Sequence, residues 1–125
     1  MLGTKDITAN IAVKDLKRGR KFYEDTLGLK VTDTDGEEVV TFRSGSSSLY
    51  VYRSQYAGSN QATAATWTVG NDLDEIVRTL ASKGVKFEHY DMPGGTRQGD
   101  VHVFGPMKVA WFKDPDGNIL CLANG

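Results

Sequence analysis

The stretch VAWFKDPDGNILCL, residues 109–122, lies over VVTFRSGSSSLYVY, residues 39–52, at an offset of 70 positions. Phe112 falls over Phe42, Lys113 over Arg43, Ile119 over Leu49 and Cys121 over Val51. Each stretch reads as two strands joined by a turn of Gly, Ser, Asp or Asn residues. Moving outward from these stretches, the self-similarity extends toward the N-terminal side of each copy. Val13 and Val69 each end a first strand, and Asp15-Leu16 and Asp72-Leu73 each open the helix that follows. Gly28 and Gly84 each close that helix, with LKV after one and VKF after the other, at offsets of 56 or 57. Order, caps and turns therefore repeat together.

The first copy predicts a strand over residues 6–13 and a helix capped by Asp15, with Leu16, Tyr23 and Leu27 on one stripe. Strands follow in LKVTDTD, EEVVTFRS and SSLYVYRS, separated by turns at Asp35-Gly36 and around Gly45. Residues 55–61 have the composition of a connector. The second copy predicts strands in ATAATWTV, VKFEHY, VHVF, KVAWFK and NILCLA, and a helix with Leu73, Ile76, Val77, Leu80 and Ala81 on its buried stripe. Asp72 and Glu75 have capping-box spacing, and residues 91–100 form a Gly-rich loop.

The repeat predicts one α+β domain over residues 1–125, built from two tandem βαβββ units at about 5–54 and 62–124. One helix covers only one face of a four-stranded sheet, so the other face needs a partner. Two units side by side give a strongly curved eight-stranded mixed sheet, with helices outside and a concave cleft inside. That cleft is the expected ligand site.

Composition narrows the function classes. With 39% hydrophobic and 25% charged residues, the chain has the makeup of a globular domain. A formal net charge of −1 argues against nucleic acid as the partner. No apolar run is long enough for a membrane span, and the first ten residues lack a secretory h-region. The single cysteine, Cys121, has no internal disulfide partner, which makes a cytoplasmic location the expectation.

VKDLKRGRKFYEDTLGLKV near the N-terminus and AWFKDPDGNILCL near the C-terminus resemble the vicinal oxygen chelate superfamily, which includes glyoxalase I, extradiol dioxygenases, fosfomycin resistance proteins and bleomycin-binding proteins. The resemblance covers essentially the whole chain. It implies the paired βαβββ fold, a homodimer, and in metal-dependent members a divalent ion held by His, Gln or Glu from the first and last strand of each unit. Carried over residue by residue, those positions fall on Thr8, Val51, Ala64 and Cys121. Thr, Ala and Val are not competent ligands, and one thiolate does not hold an ion alone. The expectation is a cleft without the usual metal and with no cofactor.

Strand alternation then assigns the cleft lining. Asn10 joins Thr8, Thr66 and Thr68 join Ala64, and Arg53 joins Val51. Cys121 stands in the Glu position, Trp111 is a stacking candidate, and Arg53 a candidate for an anion. His102, flanked by Val101 and Val103, is the acid–base candidate, whereas His89 reads as a surface residue. The DPDGN run is read as turn chemistry and not as a calcium loop. The functional expectation is a protein that binds a small organic molecule, sequestering it or acting on it without a metal. The alternatives are a lyase or dioxygenase with displaced ligands such as His102, His89, Glu88 or Cys121, and a catalytically silent regulatory partner.

Overall fold

In the first helix, the Asp15 carboxylate accepts from the Arg18 N–H at 3.2 Å and starts α1 (Leu16–Lys21). The chain then widens into a π-turn over Phe22–Thr26, in which the Leu27 N–H reaches back to the Phe22 carbonyl at 3.0 Å. Gly28 closes the helix at φ 77°, a conformation glycine adopts at little cost. Gly19 is buried against β1 (Ala9–Val13), and a Cβ there would lie 3.0 Å from a Val13 methyl. The missing side chain lets helix and strand approach closely.

The computed structural model describes residues 1–125, which divide into two compact units, Met1–Ser59 and Asn60–Gly125. The first holds β1, β2 (Lys30–Asp35), β3 (Val39–Ser44) and β4 (Ser47–Arg53) in the order β1-β4-β3-β2. β1 and β4 run parallel, and the other pairs are antiparallel. Ile11, Val13, Val40, Phe42, Leu49 and Val51 are buried on the face that α1 covers, and the Tyr23 ring lies 6.0 Å from that of Phe42.

The second unit contains β5 (Thr63–Thr68), α2 (Leu73–Ser82), β6 (Phe87–Glu88), β7 (Thr96–Gln98), β8 (Val101–Phe104), β9 (Met107–Lys113) and β10 (Ile119–Ala123). Its sheet runs β5-β10-β9-β8-β7, and β6 shares with β8 the edge of β9 opposite β10. β5 and β10 are parallel. From Ile119 to Leu122 every residue of β10 is buried, so both faces of this strand are covered.

The α+β class and the order of elements along the chain match the expectation, with differences of local physical origin. Backbone pairing stays within each unit, giving sheets of four and six strands instead of one of eight. One strand not read from the chain, β7, arises because residues 96–98 of the Gly-rich loop pair with β8 across the Gly99-Asp100 turn, and the strand expected over VKFEHY is confined to the two residues of β6. The capping box at Asp72 does not form, because the Asp72 N–H turns back to the Val69 carbonyl in a 3₁₀ turn.

The loop between β9 and β10 is one residue longer than its counterpart. Arg43 pairs with Ser48, but Lys113 pairs with Ile119. The offset of 70 thus becomes 71 in the last strand, and Cys121 corresponds to Tyr50, not Val51. In that longer loop the buried Asp114 carboxylate accepts from the N–H groups of Asp116 and Asn118, both at 2.9 Å, and from the Asn118 amide at 2.7 Å. The DPDGN run is a self-capped turn.

Candidate functional site

Pairing across the second sheet decides which side chains share a face, because directly opposed residues project the same way. Cys121 stands opposite Thr66 on one side and Trp111 on the other, and Trp111 stands opposite Glu88. One step along, Thr68, Ala123, Val109, His102 and Arg97 form the next row. Five of the sequence candidates, Thr66, Thr68, Trp111, Cys121 and His102, therefore lie on one face.

His102 is the most constrained of them. It is only 3% exposed, and its Nε2 accepts the backbone N–H of Tyr90 at 2.9 Å. A lone pair at Nε2 leaves the ring proton of the neutral imidazole on Nδ1, and that buried atom has no hydrogen-bond partner in the protein. The Trp111 ring meets His102 edge-on at 5.0 Å and Tyr90 at 5.3 Å, while Tyr90 stacks at 6.3 Å from His102. Trp111 is held in turn by its indole N–H, which donates to Thr63 Oγ1 at 3.2 Å. Burial raises the Tyr90 phenol above its ordinary pKa, with Glu88 adding to the rise and Lys113 opposing it.

His89, expected at the surface, is half-exposed and engaged on both ring nitrogens. Nε2 meets Asp100 Oδ1 at 2.7 Å, and Nδ1 meets the Arg97 guanidinium. Cys121 is buried, and that burial pushes its thiol pKa up, with a hydrogen bond to Thr66 lowering it in part. A thiol so placed is a lining group and not a ready nucleophile.

The remaining candidates lie elsewhere. Ala64 occupies a bulge in the pairing of β5 with β10 and has no partner of its own. In the first unit, Thr8 precedes β1, and its carbonyl accepts from the Asn10 amide at 3.1 Å. Val51 is fully buried on the α1 face, so it does not share a face with Asn10; the residue opposite Asn10 is Tyr50. Arg53 goes with Val51 by alternation and pairs with Glu38 at 2.7 Å at the exposed end of β4. The one-residue register difference moved both assignments.

The positions where the resemblance implies metal ligands thus hold Thr8, Tyr50, Ala64 and Cys121. No group of three or more His, Cys, Asp or Glu side chains is placed to hold an ion. The displaced set offers no substitute, because Glu88 faces Lys113 at 3.4 Å and His89 is shared between Asp100 and Arg97. The donor set does not fit the family's divalent ion.

Sequence reasoning missed Tyr90, Arg97 and Asp100. Their roles depend on contacts made 8 to 12 residues away along the chain through the β7–β8 hairpin.

Comparison with known proteins adds a family and a fold. The sequence model described as Glyoxalase/Bleomycin resistance protein/Dioxygenase superfamily matches residues 7–122. Among curated proteins, no sequence matches the chain. A lactoylglutathione lyase from Agrobacterium tumefaciens superposes with a TM-score of 0.72 at 16% identity, over 98% of this chain and 95% of that one. A glyoxalase/bleomycin resistance protein/dioxygenase from Alicyclobacillus acidocaldarius gives 0.71 at 18% identity, over 98% and 93%. The fosfomycin resistance protein FosX from Mesorhizobium loti gives 0.70 at 12% identity, over 100% and 94%. At these identities the likeness shows the fold alone. No helix is long and apolar enough to cross a membrane.

Proposed function

The chain belongs to the glyoxalase/bleomycin resistance protein/dioxygenase superfamily, and from that premise we propose that it binds a small organic molecule without the family's metal. The observation that carries this reading is the second-unit face itself. A buried imidazole with an unpartnered Nδ1 is clamped between Tyr90 and Trp111, on the face shared by Cys121 and Thr66. An unsatisfied buried donor is costly in a purely structural cluster, and that cost marks His102 and the rings around it as the candidate ligand face. Two structural neighbours carry names that refer to small organic molecules, lactoylglutathione and fosfomycin, which is the class of ligand proposed here.

The donor set argues against an ion as the organising element, so recognition falls to hydrogen bonds and aromatic surface. Thr66 and Thr68 offer hydroxyls, and Trp111 and Tyr90 offer ring surface. A panel of small organic molecules titrated against Trp fluorescence in excess EDTA tests the reading. Saturable quenching by a panel member that is lost in Trp111→Phe is the expected result. Binding that appears only when a divalent metal is added would overturn it.

A further inference from the structure

We propose that the pocket beside His102 takes the carboxylate, or a planar anion like it, of a single-ring organic acid. This deepens the small-molecule reading above and rests on it. The pocket has a volume of about 270 Å³ and is lined chiefly by Tyr90, Met92, Arg97, His102 and Phe104. That is just below the roughly 300–1,000 Å³ of drug-sized sites, so one ring fits better than a fused system.

Arg97 supplies the charged donor of this pocket, and His102 lines it. Arg97 and His102 are directly opposed across the β7–β8 hairpin, so their side chains leave the same face as near neighbours. Phe104, two residues beyond His102 on β8, shares that face and forms an apolar wall. The His102 Nδ1–H is buried and without an acceptor. Arg97 places one N–H on His89 Nδ1, which leaves most of the guanidinium fork available. Asp100 fixes His89 from the other ring nitrogen at 2.7 Å, so the contact orients Arg97 without neutralising its charge.

A planar guanidinium matches a carboxylate's two oxygens better than it matches a neutral amide. Tyr90 and Phe104 then offer ring surface to the organic part. Asp91 is the one acidic side chain in the lining, and it is exposed, where water and salt screen its charge.

Calorimetric titration with benzoate and with its neutral isostere benzamide tests this assignment. Benzoate is expected to bind saturably, and benzamide roughly tenfold or more weaker. Arg97→Gln, at an exposed position, should weaken benzoate by a similar factor while leaving benzamide and the thermal midpoint unchanged, and Arg97→Lys should recover part of the loss. Equal affinity for the two probes, no benzoate binding, or an unchanged benzoate affinity in R97Q would overturn it. None of these results bears on the metal-free reading, which fails separately if organic-molecule binding requires an added metal.

Discussion

The backbone N–H of Tyr90 donates to Nε2 of His102 at 2.9 Å, a bond from the chain leaving β6 to a side chain on β8. The bond lies two residues beyond the end of β6 at Glu88, and the Tyr90 ring packs edge-on against Trp111 of β9 at 5.3 Å.

Replacing His102 with Phe removes that acceptor and leaves the Tyr90 N–H unsatisfied, while also removing the unpartnered Nδ1. The net destabilisation should be about 1–2 kcal/mol, read by urea unfolding. Hydrogen exchange at the Tyr90 amide should accelerate well beyond the change at amides of β10. Unchanged protection at Tyr90 would show that the bond does not hold the loop.

Cys121 should resist alkylation in the folded protein, and the fold should weaken as pH rises. Burial raises the folded thiol's pKa, so the unfolded chain ionises first, above about 8.5. Stability from this group is fully present below the unfolded value and is lost as pH climbs toward the folded one. Chemical denaturation across neutral to alkaline pH should show a shallower decline in Cys121→Ala than in the parent. Parallel curves would contradict this.

Gly19→Ala should destabilise by about 1–2 kcal/mol even though alanine favours helix. The added Cβ meets the Val13 side chain at 3.0 to 3.3 Å, and Val13 is fully buried in the sheet. Adding Val13→Ala should recover part of the Gly19→Ala cost, which a double-mutant cycle would register.

Asp114→Ala should cost about 2–4 kcal/mol, because one buried carboxylate satisfies two backbone N–H groups and the Asn118 amide. Thermal unfolding would measure it. A neutral result would mean that the turn closes without its cap.

The α+β class and the strand order could be read from the chain because caps, glycines and apolar alternation agreed in both copies. Three features were hidden for physical reasons. β7 is the polar, exposed segment Thr-Arg-Gln, whose pairing with β8 leaves no apolar alternation. The extra residue in the Asp114–Asn118 turn shifts β10 by one position, so alternation counted from Cys121 placed Val51 and Arg53 with Asn10 when Tyr50 stands there. Of the candidate lining, Thr66 and Thr68 came from strand alternation, Cys121 from the resemblance, and Trp111 and His102 from their chemistry; strand pairing puts all five on one face. Tyr90, Arg97 and Asp100 were not legible, because hairpin pairing between distant residues brings them to the histidines and leaves no local pattern.

Native mass spectrometry combined with elemental analysis, on protein purified without added metal, separates a metal-free cleft from a metal centre. The expected result is an organic adduct, or binding competence for one, with no stoichiometric transition metal. A tightly held Fe, Ni, Zn or Mn at one equivalent, whose removal by a chelator abolishes ligand binding, would contradict it.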